Sequence, residues 1–216
     1  MVNMPLTILK KMKCCHDMPL KNNTFRSERL EIDYFVSDSP GSRRNVFIMH
    51  NDSTGSADPS KFEILRKAEQ EGITLILAIY RYAGNGNVSI QQLADSASQI
   101  CSSESVKAPI MVGSGLAGAA SVYCATGSSP WIGGAIVISP ESVEEIYSVL
   151  YKVSVPVLYA YSRSDGIEDE RKMFRYHDLT AGSRLIKLGG MASDIYIRRP
   201  SQFISLLDDY VDHAGT

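Results

Sequence analysis

The order of apolar and polar positions divides the chain into alternating strand-like and helix-like stretches. Leu30, Ile32, Tyr34 and Val36 alternate with polar neighbours, as a half-buried antiparallel strand should, and Thr24 to Asp38 reads as two short strands. The turn-forming run Ser37-Asp38-Ser39-Pro40-Gly41-Ser42 separates them from Asn45 to His50, a buried strand. After the polar loop Asn51 to Ser56, a helix opens near Asp58-Pro59, with proline at its first position, and closes at Gly72. Phe62, Leu65 and Ala68 share one face of it. Ile73 to Tyr80 is almost wholly apolar, the mark of a central parallel strand. Ser89-Ile90-Gln91-Gln92 has capping-box spacing, and Leu93, Ala97, Ile100 and Cys101 follow at helical intervals.

The second half repeats the alternation. Pro109 to Val112 is a buried strand that turns sharply at Gly113-Ser114-Gly115 into a helix of small residues closing near Gly127. Gly134 to Ile138 is a strand, and Ser142 to Lys152 a helix with Val143, Ile146 and Leu150 inward. Val155 to Tyr161 is a strand, Asp169 to Asp178 a helix, and Leu185 to Leu188 the last strand. The closing helix, Ser201 to His213, puts Phe203, Leu206, Leu207, Tyr210 and Val211 on one face. Strands separated by single helices require right-handed crossovers, so the expected class is α/β: a mostly parallel central sheet, helices on both faces, and an antiparallel start. The domain is expected over residues 20–216, behind an extension of residues 1–19.

Composition narrows the function classes. With 216 residues the chain is long enough for one well-buried domain. Lys and Arg number 22 against 24 Asp and Glu, and the isoelectric point is near 6.1, which argues against a nucleic-acid partner. No apolar run has the length of a membrane span. Cys14, Cys15, Cys101 and Cys124 lack metal-ligand spacing and read as reduced thiols of a cytoplasmic protein; no metal or cofactor is expected. Met1 to Leu20 lacks the layout of a secretory signal. Lys10, Lys11 and Lys13 beside Cys14-Cys15 suit either a lipidated basic patch or a plain extension, and the plain extension is favoured.

The strand, sharp turn and small-residue helix around Gly115 have the form of a nucleophile elbow, Gly-x-Ser-x-Gly, with Gly113 and Ala117 as its small flanks. Three further stretches join it. Asn45-Val46-Phe47-Ile48-Met49-His50 is similar to a strand leading to an oxyanion loop. Val155 to Asp165 is similar to the strand that delivers a triad acid, and Leu188 to Pro200 to the segment that holds a triad histidine. Together, and in this order, they resemble the α/β-hydrolase family from Arg29 onward, in a compact form with no cap domain.

The resemblance implies nucleophile, acid and base at Gly115, Asp165 and Ser193. Only Asp165 retains a triad side chain, and without a hydroxyl and an imidazole it has nothing to orient. Asn51 stands where the family has glycine after the strand-end histidine, although the Leu116 N–H remains a donor for an oxyanion hole. The expected site therefore comprises His50, Asn51, Asp52, Ser114, Gly115, Leu116, Asp165 and Ser193. His50 reads as a structural strand-end group in preference to a base, and Ser114 as pointing away from the apex. The resemblance implies a protein without serine-hydrolase activity that binds a small apolar or acyl-like ligand or takes part in interactions.

Two alternatives remain. One is an esterase-like or other pocket-based enzyme that uses non-standard residues. The other is a dinucleotide-binding protein, because Gly113-x-Gly115-x-x-Gly118 follows a strand and opens a helix, with Glu141 beyond the next strand.

Overall fold

The computed structural model describes residues 21–27, 30–37, 39, 41–42, 44–51, 63–82, 88–127, 130–141, 143–162, 167–190 and 193–214. Among these residues, eight strands form one sheet in the order β1-β2-β4-β3-β5-β6-β7-β8. They are β1 (Lys21–Arg26), β2 (Leu30–Ser37), β3 (Arg44–Asn51), β4 (Ile73–Tyr82), β5 (Ile110–Gly115), β6 (Gly134–Pro140), β7 (Val157–Ser162) and β8 (Arg184–Leu188). β1 pairs antiparallel with β2, and β2 with β4. Every other pairing is parallel. The antiparallel start and parallel remainder expected from the hydrophobic pattern are both present.

Among the described residues, seven helices accompany the sheet: α1 (Glu63–Gln70), α2 (Ile90–Ser103), α3 (Leu116–Cys124), α4 (Glu144–Tyr147), α5 (Ile167–Leu179), α6 (Ile195–Arg198) and α7 (Pro200–Ala214). Because strand side chains alternate, the sheet builds two cores. Phe47, Met111, Val137 and Tyr159 face one side with residues of α2, α3, α4 and α5. Ile48, Val112, Ile136 and Leu158 face the other with α1, α6 and α7. β4 is buried from Leu75 to Tyr80 on both faces, which explains its unbroken apolar run.

The elements follow from local chemistry. Ser89 caps α2: its Oγ accepts from the Gln92 N–H at 3.1 Å, while the Ser89 N–H donates to the Gln92 side chain at 3.0 Å. At the other end of α2, the Glu104 carboxylate accepts from Lys21 Nζ, from Asn23 Nδ2 at 3.2 Å and from the Tyr34 hydroxyl at 3.0 Å. That one side chain ties β1 and β2 to the helix layer.

The expected helix over Ser142 to Lys152 is the main departure. It breaks into α4 and a single 3-10 turn, Leu150–Lys152. Val143 offers no side-chain cap, and the Ser148 hydroxyl donates back to the Glu145 carbonyl at 2.7 Å, a bond that competes with helix continuation. Val153 is then drawn into an isolated bridge with Thr126. Ile146 and Leu150 are still fully buried, so the inward face was set by the pattern even though the helix was not. The part of the expected Asp58-to-Gly72 helix before Glu63 lies outside the described residues.

Ser89→Ala removes the hydroxyl half of the α2 cap. It is expected to lower stability by about 1 kcal/mol, seen as a lower urea midpoint at unchanged slope.

Candidate functional site

Parallel strands direct their carboxyl ends to one edge of the sheet, where ligands of open α/β folds bind. At the centre of that edge β5 passes into α3 with no intervening residue. Gly115 makes the turn at φ 57° and ψ −128°, a conformation that residues with side chains rarely adopt. The pairing with β6 slips here, so that Gly115 lies opposite Pro140, and the Glu141 N–H donates to the Gly115 carbonyl at 3.0 Å. A Cβ on Gly113 would stand 2.5 Å from the Ala117 backbone, and one on Gly118 would stand 3.1 Å from the Gly113 carbonyl and 3.3 Å from Pro140. Gly113 is thus required by the approach of helix to strand, and Gly118 sits in a tight contact that a methyl group would press by a few tenths of an ångström. A Cβ on Gly115 would meet nothing within 4 Å among the described residues, and its backbone conformation itself resists a side chain.

One position earlier the chain faces another way. Ser114 lies on the same strand face as Val112, and His50 on the same face as Ile48, both toward α1, α6 and α7. From α6, the Tyr196 hydroxyl reaches both residues, lying 3.2 Å from His50 Nδ1 and 3.4 Å from Ser114 Oγ. The His50 and Tyr196 rings meet edge to face, with centroids 5.7 Å apart. Tyr196 is completely buried, and that burial pushes its phenol well above the usual tyrosine range, with Asp194 adding to the rise and the Ser114 bond opposing it. The neutral phenol has one proton to donate, so it links a strand-end imidazole and hydroxyl into one short chain.

A second set of bonds fixes the segment after β8. Ser162, the last residue of β7, donates its hydroxyl proton to the Gly190 carbonyl. Arg199 donates to the Gly189 carbonyl at 2.9 Å, and its guanidinium lies where a Cβ on Gly190 would be. The ends of β7 and β8 are thereby stitched together ahead of α6.

Among the expected site residues, Gly115 sits at the apex and Leu116 begins α3, packed against the α2–α3 core. His50 and Ser114 are brought together by Tyr196. Asn51 is exposed at the end of β3, and Ser193 is half-buried in the turn before α6. Asp52 and Asp165 lie outside the described residues. Tyr196 was not anticipated. The only signal for it in the sequence was a tyrosine inside the segment compared with the histidine loop. Among the described residues no group of three or more His, Cys, Asp or Glu side chains is arranged to hold a metal.

No protein-family model matches the chain, and no curated protein sequence does. Solved structures do match. A CIB-like hydrolase from Thermoplasma acidophilum superposes with TM-score 0.69 at 15% identity, over 90% of this chain and 99% of the other. A membrane phospholipase A described as a bacterial virulence factor gives TM-score 0.73 at 10% identity, over 91% and 87%. Est1E from Butyrivibrio proteoclasticus gives 0.66 at 10%, over 88% and 99%. The chain has the α/β-hydrolase fold. No described helix is long and apolar enough to cross a membrane.

The elbow geometry separates its glycines experimentally. Gly113→Ala is expected to destabilise by about 1–3 kcal/mol through overpacking. Gly115→Ala, which meets only the backbone preference, should also lose about 1–3 kcal/mol but leave the near-ultraviolet circular dichroism of the core intact. Alkaline pH gives a separate readout. Burial raises the phenols of Tyr159, Tyr176 and Tyr196, and that of Tyr210 to about 12, from an ordinary value of 10.0. Above pH 10 the unfolded chain therefore releases protons that the folded chain holds, and stability falls as pH rises. Tyr196→Phe should flatten that fall in urea titrations between pH 9 and 11, and should lower stability near neutrality by about 1–3 kcal/mol because His50 and Ser114 lose a buried partner.

Proposed function

We propose that the protein is a non-hydrolytic use of the α/β-hydrolase fold, in which the site at the carboxyl edge of the sheet takes up a small apolar or acyl-like ligand without cleaving it. The observation that carries this reading is Gly115: the turn keeps the shape that presents a nucleophile, with no described atom within 4 Å of where its Cβ would be, on a residue without a side chain. Acyl transfer needs a hydroxyl within hydrogen-bond reach of a base. In this reading Ser193 stands in the base position and Asp165 in the acid position, so the nucleophile and base are both missing. The backbone N–H groups at the start of α3 still allow polarisation of a carbonyl, which suits binding an acyl group better than attacking it.

A second reading draws on the chain linking Ser114, Tyr196 and His50. There Ser114 would be the nucleophile and His50 the proton acceptor through the phenol, giving an esterase with an unusual constellation. Complete burial of Tyr196 and the orientation of Ser114 away from the apex favour the first reading.

Short-chain p-nitrophenyl esters and a serine-reactive phosphonate distinguish the two. The first reading expects no turnover and no labelling in wild type, with ester turnover appearing in Gly115→Ser combined with Ser193→His. Wild-type turnover with labelling at Ser114, abolished by Tyr196→Phe, would establish the second.

A further inference from the structure

At the amino ends of β7 and β8, the opposite edge of the sheet from the elbow, a cleft of ≈ 340 Å³ opens between the approach to β7, the turn before β8 and the last turn of α7. That volume lies within the range of small-molecule sites, about 300–1,000 Å³. One wall is aliphatic, formed by Val153, Val155, Pro156 and Val157. The other carries Arg184 and His213, and among the described residues no Asp or Glu lines the cleft. The two basic groups are held on one rim by a residue outside the lining. Arg184 Nη2 donates to the Asp209 carboxylate at 3.0 Å and Nη1 to its carbonyl at 3.4 Å, while His213 Nδ1 lies 2.7 Å from the same carbonyl.

We infer that this cleft is a second binding site, for a small amphipathic carboxylate whose head meets Arg184 and whose short aliphatic tail lies along the valine wall. A guanidinium has five N–H donors in a planar fork, so two bonds to Asp209 leave donors for a carboxylate. The Arg184–Asp209 pair is itself only partly shielded, with side-chain exposures of 36% and 45%, and such pairs contribute little alone. The carbonyl end of α7 opposes an anion, and the Arg184 guanidinium provides the counter-charge at that place, while His213 Nδ1 stays against Asp209, 3.4 Å from its carboxylate. The Tyr210 hydroxyl donates to the Pro156 carbonyl at 2.9 Å and so closes the floor between α7 and the strand.

The test is a titration of the full chain with hexanoate at neutral pH, followed by amide chemical shifts. Saturable shifts are expected at Val155, Gly182 and Arg184, with none from hexanol, which has the tail without the charge. Arg184→Gln should weaken binding by about tenfold or more. Because Arg184 also anchors α7, Ala181→Trp at the exposed turn serves as a second variant: it fills the cleft and should abolish the shifts while leaving the melting temperature near wild type. Absence of saturable shifts at these amides, equal shifts with hexanol, or undiminished binding by both variants overturns the proposal. Shifts at residues 113–118 report the elbow edge instead, so the outcome here is independent of the reading proposed for that site.

Discussion

The backbone of α3 lies so near that of β5 that Gly113 has no room for a side chain and Gly118 is held tightly against Gly113 and Pro140. This approach sets the direction of a helix buried almost all round, from Ala117 to Val122, against the middle of the sheet. α2 packs outside α3, and β3 and β6 flank β5 on either side, so the order of the layers on that face radiates from one contact. The fold therefore depends on the turn independently of whether the turn carries out chemistry. A chain can lose the nucleophile and still be held to the elbow by packing alone.

On the other face the corresponding constraint is polar. Tyr196 joins α6 to the ends of β3 and β5, while Ser162 and Arg199 hold the segment that precedes it. The two sets of bonds keep the carboxyl edge of the sheet in a defined shape around Gly115. A ligand bound there, as proposed above, would meet a backbone already in place, which reduces the ordering that binding requires.

Much of this was legible in the chain because the determinants are local. The Ser89 capping box, the alternation in β2 and the glycines of the elbow each lie within a few residues of what they specify. The helix expected over Ser142 to Lys152 failed where a local bond from Ser148 and a bridge at Val153 outweighed an adequate apolar period. Tyr196 was illegible for another reason. Its partners are 146 and 82 positions away, and only the assembled sheet brings β3 and β5 beside the segment after β8.

β4 has one more consequence. Ile73 to Tyr80 carries no charge and no proline, and such a segment left unpaired readily stacks with copies of itself into cross-β assemblies. In the folded chain both of its edges are taken, by β2 on one side and β3 on the other, and the Arg81 that ends the run is paired with Asp33 of β2 at 2.8 Å. Both covering strands precede β4 in the sequence, so on an emerging chain the partners that shield it are made first. Damage to β2, far from the elbow, would expose an apolar, uncharged strand edge.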